Sequence, residues 1–326
     1  MQPFDLKTPK SLDEAIAELP AERSRTAPQV IAGGQDILTV MKDDIAAPTA
    51  LVEIGGLPLG GIDVASDGSI TLGALVTIQE IADSEEIATR FPALIEAAKS
   101  IASPQIRSQA TIGGNLNQKP RCPYYRHPSV SCFKKGGNVC LAEFGFNKYA
   151  AILGGGPSYF THPSDMAPAL ILHGAVVTAQ GPRGEREIPL SNYYLLPDVA
   201  LDRECVLDAD EVVTKITVPA APSGWRSTYM KFKERASYDF ALGAVAVSVV
   251  LDGNTIQDAY VVLGGVAPMP WPSPEASAAL VGKEMGPDAW NAAGEAAMAD
   301  AVPLEHNGYK VHLMKGVIYR ALEQLV

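Results

Sequence analysis

Short apolar or alternating runs bounded by Gly, Pro and Asp set the pattern of the first part of the chain. "QVIA" (29 to 32), "LVEI" (51 to 54) and "SITLGAL" (69 to 75) have the length and boundaries of β-strands. On either side of these runs, "SLDE" (11 to 14) and "TIQE" (77 to 80) read as capping boxes, each opening a helix with apolar periodicity behind it. "GAVVTAQGPRGEREIPL" predicts a hairpin around "GPRG", and "EVVTKITVP" a further strand. The Pro/Gly stretch 219 to 224 is the best domain boundary. Beyond it, "YMKFKERASYDFALGAVAVSVVLDGNTIQDAYVVLGGV" predicts two or three long strands with a turn at "DGN". A helical tail begins near residue 274. The pattern is α+β or α/β in its first half and contains no internal repeat.

Composition narrows this picture. The 326 residues are 47% apolar and 19% charged, enough for two or three compact lobes. A formal net charge of -11 and a pI of about 5.0 would repel a phosphate backbone, which excludes nucleic acid as the expected partner. The longest apolar run, "FALGAVAVSVVL" (240 to 251), is too short to span a bilayer. The N-terminus lacks a basic region followed by an apolar one, so no secretory signal is expected on this chain. The expected location is cytoplasmic, or periplasmic if a partner carries the export signal.

Two glycine loops are the first candidate chemistry. "IAGGQDILTVMK" (31 to 42) runs from strand through Gly33 and Gly34 into a helix-like segment, and free N–H groups there could hold a phosphate. "QATIGGNLNQ" (109 to 118) repeats the logic with Thr111, Gly113, Gly114 and Asn115. Neither loop is GxGxxG or GxxxxGK[ST], so Rossmann and P-loop readings are unsupported. Alone, each is equally a plain turn. "THPSDMAPAL" (161 to 170) presents Ser164 and Asp165 at a helix start, where capping is the simpler role. "YMKFKERASYDFAL" (229 to 242) places Lys231 in a mixed-charge strand end, which by itself is a solvated face.

Taken together and in order, "AGGQDILTVMK", "QATIGGNLNQ", "HPSDMAPAL" and "YMKFKERASYDFALGAVAV" resemble the flavin-binding medium subunit of the molybdenum hydroxylases. That family includes xanthine dehydrogenase, carbon monoxide dehydrogenase and bacterial aldehyde oxidoreductases. The resemblance implies an α+β fold over nearly the whole chain. A two-lobed FAD-binding domain of the PCMH/CO dehydrogenase flavoprotein type would occupy residues 1–222, with lobes at about 1–55 and 56–222. A C-terminal domain of antiparallel sheet and helices would follow at 223–326.

Carried over, Ala32, Gly33, Gly34, Gln35 and Asp36 would line the FAD diphosphate, flanked by Ile31 and Ile37. Thr111, Gly113, Gly114 and Asn115 would continue the pocket, and Asp165 beside Ser164 would bond the ribityl or adenosine part. Lys231 would stand near the flavin ring, where an ammonium stabilises the anionic reduced form and raises its potential. Trp271, in "GGVAPMPW", would pack near the flavin or else in the core or an interface.

The remaining segment, "KPRCPYYRHPSVSCFKKGGNVCLA" (119 to 142), holds three of four cysteines and five Lys or Arg with no acid. It resembles an insert, at about 118–160, of the subgroup that carries an extra [4Fe-4S] cluster, found in aldehyde oxidoreductase and 4-hydroxybenzoyl-CoA reductase flavin subunits. On that likeness the ligands are Cys122, Cys132 and Cys140, with Ser158 at the position of the expected fourth cysteine. A [4Fe-4S] cluster with an oxygen ligand, a [3Fe-4S] cluster and no cluster are the three outcomes. Zinc on the three thiols with His127 or His162 meets a tetrahedral count, although the short Cys knuckles of zinc folds are absent. Lys119, Arg121, Arg126, Lys134 and Lys135 would offset the cluster's negative charge.

The function implied is electron transfer. The chain would be the FAD subunit of a heterotrimer with a large molybdopterin subunit and a small [2Fe-2S] subunit, passing electrons through FAD to a small-molecule or protein acceptor. Aldehydes are the expected substrate, oxidised in the large subunit. Two other readings stand beside it: a self-contained flavin oxidase of the vanillyl-alcohol type, and a metal-stabilised assembly protein whose glycine loops are only turns.

Overall fold

A computed structural model describes all 326 residues. Three sheets organise it. Strands β1 (Asp5–Lys7), β2 (Gln29–Ile31) and β3 (Ala50–Glu53) form a parallel sheet in the order β1-β3-β2. Helices α1 (Leu12–Ala17) and α2 (Ile37–Lys42) connect its strands. A five-stranded antiparallel sheet follows in the order β4-β5-β8-β6-β7, from β4 (Ile62–Val64), β5 (Ile70–Gly73), β6 (Val176–Gly181), β7 (Gly184–Pro189) and β8 (Val212–Val218). Between β5 and β6 run α3 (Ile78–Asp83), α4 (Glu85–Arg90), α5 (Pro92–Ser100), α6 (Pro104–Arg107), α7 (Ile112–Leu116), α8 (Pro123–Arg126) and α9 (Met166–Leu172).

The third sheet, antiparallel β12-β11-β10-β9, is built from β9 (Trp225–Phe232), β10 (Gly243–Asp252), β11 (Thr255–Gly264) and β12 (Trp271–Pro272). Helices α10 (Pro274–Leu280), α11 (Pro287–Ala297) and α12 (Tyr309–Glu323) follow. The unbroken apolar run of β10 has a direct cause. Its alternate residues feed two cores, Ala244 and Ala246 packing with α5 and α9 residues, and Val245, Val247 and Val249 packing with α10–α12 residues. The sheet is therefore covered on both faces. Mixed α and β organisation, with an antiparallel sheet and helices at the C-terminal end, is the fold class expected.

Local signals hold to different degrees. Thr77 and Glu80 form a complete capping box on α3. Ser11 caps α1 through Glu14 N–H, but the Glu14 carboxylate accepts from Lys10 rather than from Ser11. The three-residue β1 and the string of short helices α4 to α7 carry too little period to be read from the sequence. Residues 118–160 contain almost no regular structure, only α8 and one 3-10 turn at Phe133–Lys135.

Candidate cofactor-binding site

One cavity of about 1070 Å³ opens where the three sheets meet. That volume suits a large ligand, at the upper end of the usual range for small-molecule sites. Both glycine loops reach it. Gly33 is required by packing, since a Cβ there would overlap the Gln109 carbonyl of the second loop. Gly34 takes the left-handed conformation, φ +70°, that glycine adopts freely.

The turn that follows β2 leaves its backbone amides open. None of the N–H groups of Gly33, Gly34, Gln35, Asp36 and Ile37 has a protein acceptor, whereas Leu38 N–H already bonds Gly34 O at 3.3 Å. All five residues line the cavity. Consecutive unpaired amides form a concavity suited to an anion, and a diphosphate would satisfy them. The second loop is closed on itself by comparison. Thr111 caps α7 through Gly114 N–H at 3.2 Å, Gly113 N–H bonds Ala74 O at 2.9 Å, and Asn115 Oδ1 accepts from Ser164 Oγ at 2.6 Å. These groups fit a dinucleotide such as FAD: an anion nest, neutral hydrogen-bonding side chains and room for a ring system.

The third and fourth motifs meet in a buried cluster. Tyr229 and Lys231 lie on the same face of β9, two residues apart, and both reach Asp165. Tyr229 Oη donates to Asp165 Oδ1 at 2.7 Å and Lys231 Nζ pairs with Oδ2 at 2.8 Å. Burial, then the facing Asp165, pushes the Tyr229 phenol well above its ordinary value, so it stays a donor. Lys231 and Asp165 line the cavity as a closed ion pair.

Twelve expected residues line this cavity: Ala32, Gly33, Gly34, Gln35, Asp36, Ile37, Thr111, Gly113, Gly114, Asn115, Asp165 and Lys231. Three stand elsewhere. Ile31 is the last residue of β2 and is not part of the cavity lining. Ser164 is buried behind the wall, where it holds Asn115 and accepts Ala167 N–H at 3.1 Å. Trp271, in edge strand β12, packs against Gly154 and the C-terminal core.

The cysteine segment gathers three of its expected residues. Cys122, Cys132 and Cys140 are free thiols close enough that the latter two add to the burial that raises the Cys122 pKa. No three His, Cys, Asp or Glu side chains converge on a single metal ion, so the zinc sets with His127 or His162 are not assembled. The basic residues are also otherwise engaged. Arg121 and Arg126 each pair with Asp36 at 2.8 Å, and Lys119 and Lys134 each pair with Glu204 at 2.6 Å.

Glu204 was not legible as a site residue, because "DRECVLDAD" reads as an exposed acidic loop. It is buried at the cavity wall. Burial alone would push its carboxyl up, but the two ammonium groups overcome this and hold it down at about 2.

Residues 2–221 match the family described as "FAD binding domain in molybdopterin dehydrogenase", and residues 227–325 match "CO dehydrogenase flavoprotein C-terminal domain". The chain is 36% identical to the aldehyde oxidoreductase FAD-binding subunit PaoB of Escherichia coli K12, over 94% of this chain and 95% of that one. It is 29% identical to the carbon monoxide dehydrogenase medium chain of Hydrogenophaga pseudoflava, over 98% and 96%. A solved carbon monoxide dehydrogenase from the same organism superposes with a TM-score of 0.78 at 28% identity, covering 100% of this chain and 98% of that one.

Proposed function

Because the chain belongs to the family of FAD-binding medium subunits of molybdenum hydroxylases and carbon monoxide dehydrogenases, we propose that it carries FAD in the cavity between its sheets. Bound there, the flavin would accept electrons from the metal centres of partner subunits and pass them to an external acceptor. The single observation that carries this reading is the run of five free amides from Gly33 to Ile37 lining a cavity large enough for a dinucleotide.

The chain's own residues hold and tune rather than react. The amides bind the diphosphate, Thr111 and Asn115 present hydrogen-bonding groups, and the Lys231 ammonium stands at the cavity wall, held in place by Asp165. No nucleophile or general base is required, since oxidation of the organic substrate belongs to the large molybdopterin subunit. A small [2Fe-2S] subunit completes the proposed heterotrimer. On this reading residues 1–222 form the FAD-binding unit and 223–326 the C-terminal unit.

Aldehydes are the favoured substrate class, on the likeness to the PaoB subunit. The complex tests it: adding an aldehyde anaerobically should bleach the flavin absorbance only when the molybdenum and [2Fe-2S] subunits are present. Flavin that bleaches with the isolated chain and an alcohol would favour a self-contained oxidase instead. An additional cluster on Cys122, Cys132, Cys140 and Ser158 rests on the family likeness of the insert alone and takes no part in these steps. Iron analysis decides it: bound iron that rises in Ser158→Cys supports the cluster, and iron-free protein in both forms removes it.

A further inference from the structure

Residues 119–135 cross the cavity with very little secondary structure of their own. Two carboxylates fasten them. Asp36 accepts Lys119 N–H at 2.7 Å through Oδ2 and pairs with Arg121 and Arg126 through Oδ1. Glu204 takes the two ends of the segment at once, Lys119 on one oxygen and Lys134 on the other, both at 2.6 Å. Between these anchors, Tyr125 and residues 128–131 line the cavity.

Glu204 is itself rigidly placed. Its carbonyl accepts Leu195 N–H at 3.0 Å, and neighbouring Cys205 bridges to Tyr194, whose hydroxyl reaches Leu116 O at 3.2 Å at the end of α7. Lys134 is as constrained: buried, over the Phe160 ring at 4.7 Å, and donating to Leu201 O at 2.9 Å.

From this geometry we infer that Glu204 is a positioning residue that fastens the basic segment 119–135 as a wall of the cofactor cavity, and so sets how tightly the cofactor is retained. The clustered positive charge of the segment is thereby explained within the chain. Four of its five cations neutralise two carboxylates at the cavity. Removing the Glu204 charge leaves buried Lys134 and half-buried Lys119 uncompensated, and the segment keeps only its ionic anchor on Asp36.

The inference rests on the FAD reading, and its test separates the two. Full-length wild type, Glu204→Asp, Glu204→Gln, Lys134→Gln and Glu204→Gln/Lys134→Gln are stripped of flavin, titrated with FAD, and treated with trypsin with and without FAD. Glu204→Gln should weaken FAD binding on the order of tenfold or more and speed cleavage after Arg121, Arg126, Lys134 or Lys135. Glu204→Asp should recover most of both properties. Lys134→Gln should cost less in the Glu204→Gln background than alone. Wild-type affinity and wild-type protection in Glu204→Gln would overturn the inference, as would equal losses in Glu204→Asp and Glu204→Gln. If wild type binds no FAD, the cofactor reading fails, while trypsin protection still decides the anchor. Should Glu204→Gln not fold, Lys134→Gln removes one arm of the same anchor and is read in the same way.

Discussion

At the scale of single residues, buried titratable groups fix how the protein responds to acid. His173 lies against Phe91 and Trp225 with both ring nitrogens unpartnered, and burial depresses its pKa to about 4. His162, packed on Tyr194, is depressed to about 4 by burial as well, with Arg121 adding to it and Glu204 opposing. Both histidines are neutral in the fold, so their contribution is whole above the ordinary value of 6.5. It is lost as pH falls from 6.5 to about 4, because the unfolded chain binds the proton first. Each is worth roughly 3 kcal/mol. Glu204, held at about 2 against an ordinary 4.5, extends the loss below pH 4.5. Urea unfolding at pH 7 and pH 4.5 should show a large drop in stability that His173→Phe reduces; an unchanged drop in that variant would contradict this account. Lys231→Met would leave buried Asp165 without its counter-charge, at a cost of about 3–5 kcal/mol, and should weaken FAD binding or lower the flavin potential. A redox titration and melting curve identical to wild type would remove that role. Lys231 and Asp165 were both legible as site residues in the sequence. Their pairing was not, since the contact joins residues far apart in the chain, one near the end of β9 and one at the N-terminus of α9.

At the scale of elements, the first glycine loop depends on its neighbour. Gly33 lies against the Gln109 backbone, so the two loops share one tight interface and cannot be altered separately. Gly33→Ala should displace the loop, turn the free amides from the cavity and abolish FAD retention while the C-terminal sheet persists. Near-normal FAD binding in that variant would contradict the role given to the loop. Local signals carried the elements themselves well. The Thr77 box, the "GPRG" hairpin and the long strands β9 to β11 follow from short-range chemistry and period. The 119–135 segment shows where such reasoning stops. Its charges and thiols were plain to see, yet their partners Asp36 and Glu204 are distant in sequence. An ion pair leaves no periodic trace by which the second partner could be found.

At the scale of the whole molecule, the C-terminal helices close the structure as well as covering the third sheet. Asn307 and Lys310 donate to the backbone of residues 149–151, Tyr309 Oη donates to Lys148 O, and His306 N–H bonds Asn147 Oδ1. The end of the insert is thus tied to α12, the basic segment to Asp36 and Glu204, and the two glycine loops to each other. The last two ties stand at the cavity. The most direct measurement is the flavin content of the purified full-length chain, read in the supernatant and pellet after acid precipitation. The account predicts close to one FAD per chain, all of it released into the supernatant. A colourless protein that takes up no FAD, or flavin that stays with the pellet, would contradict it.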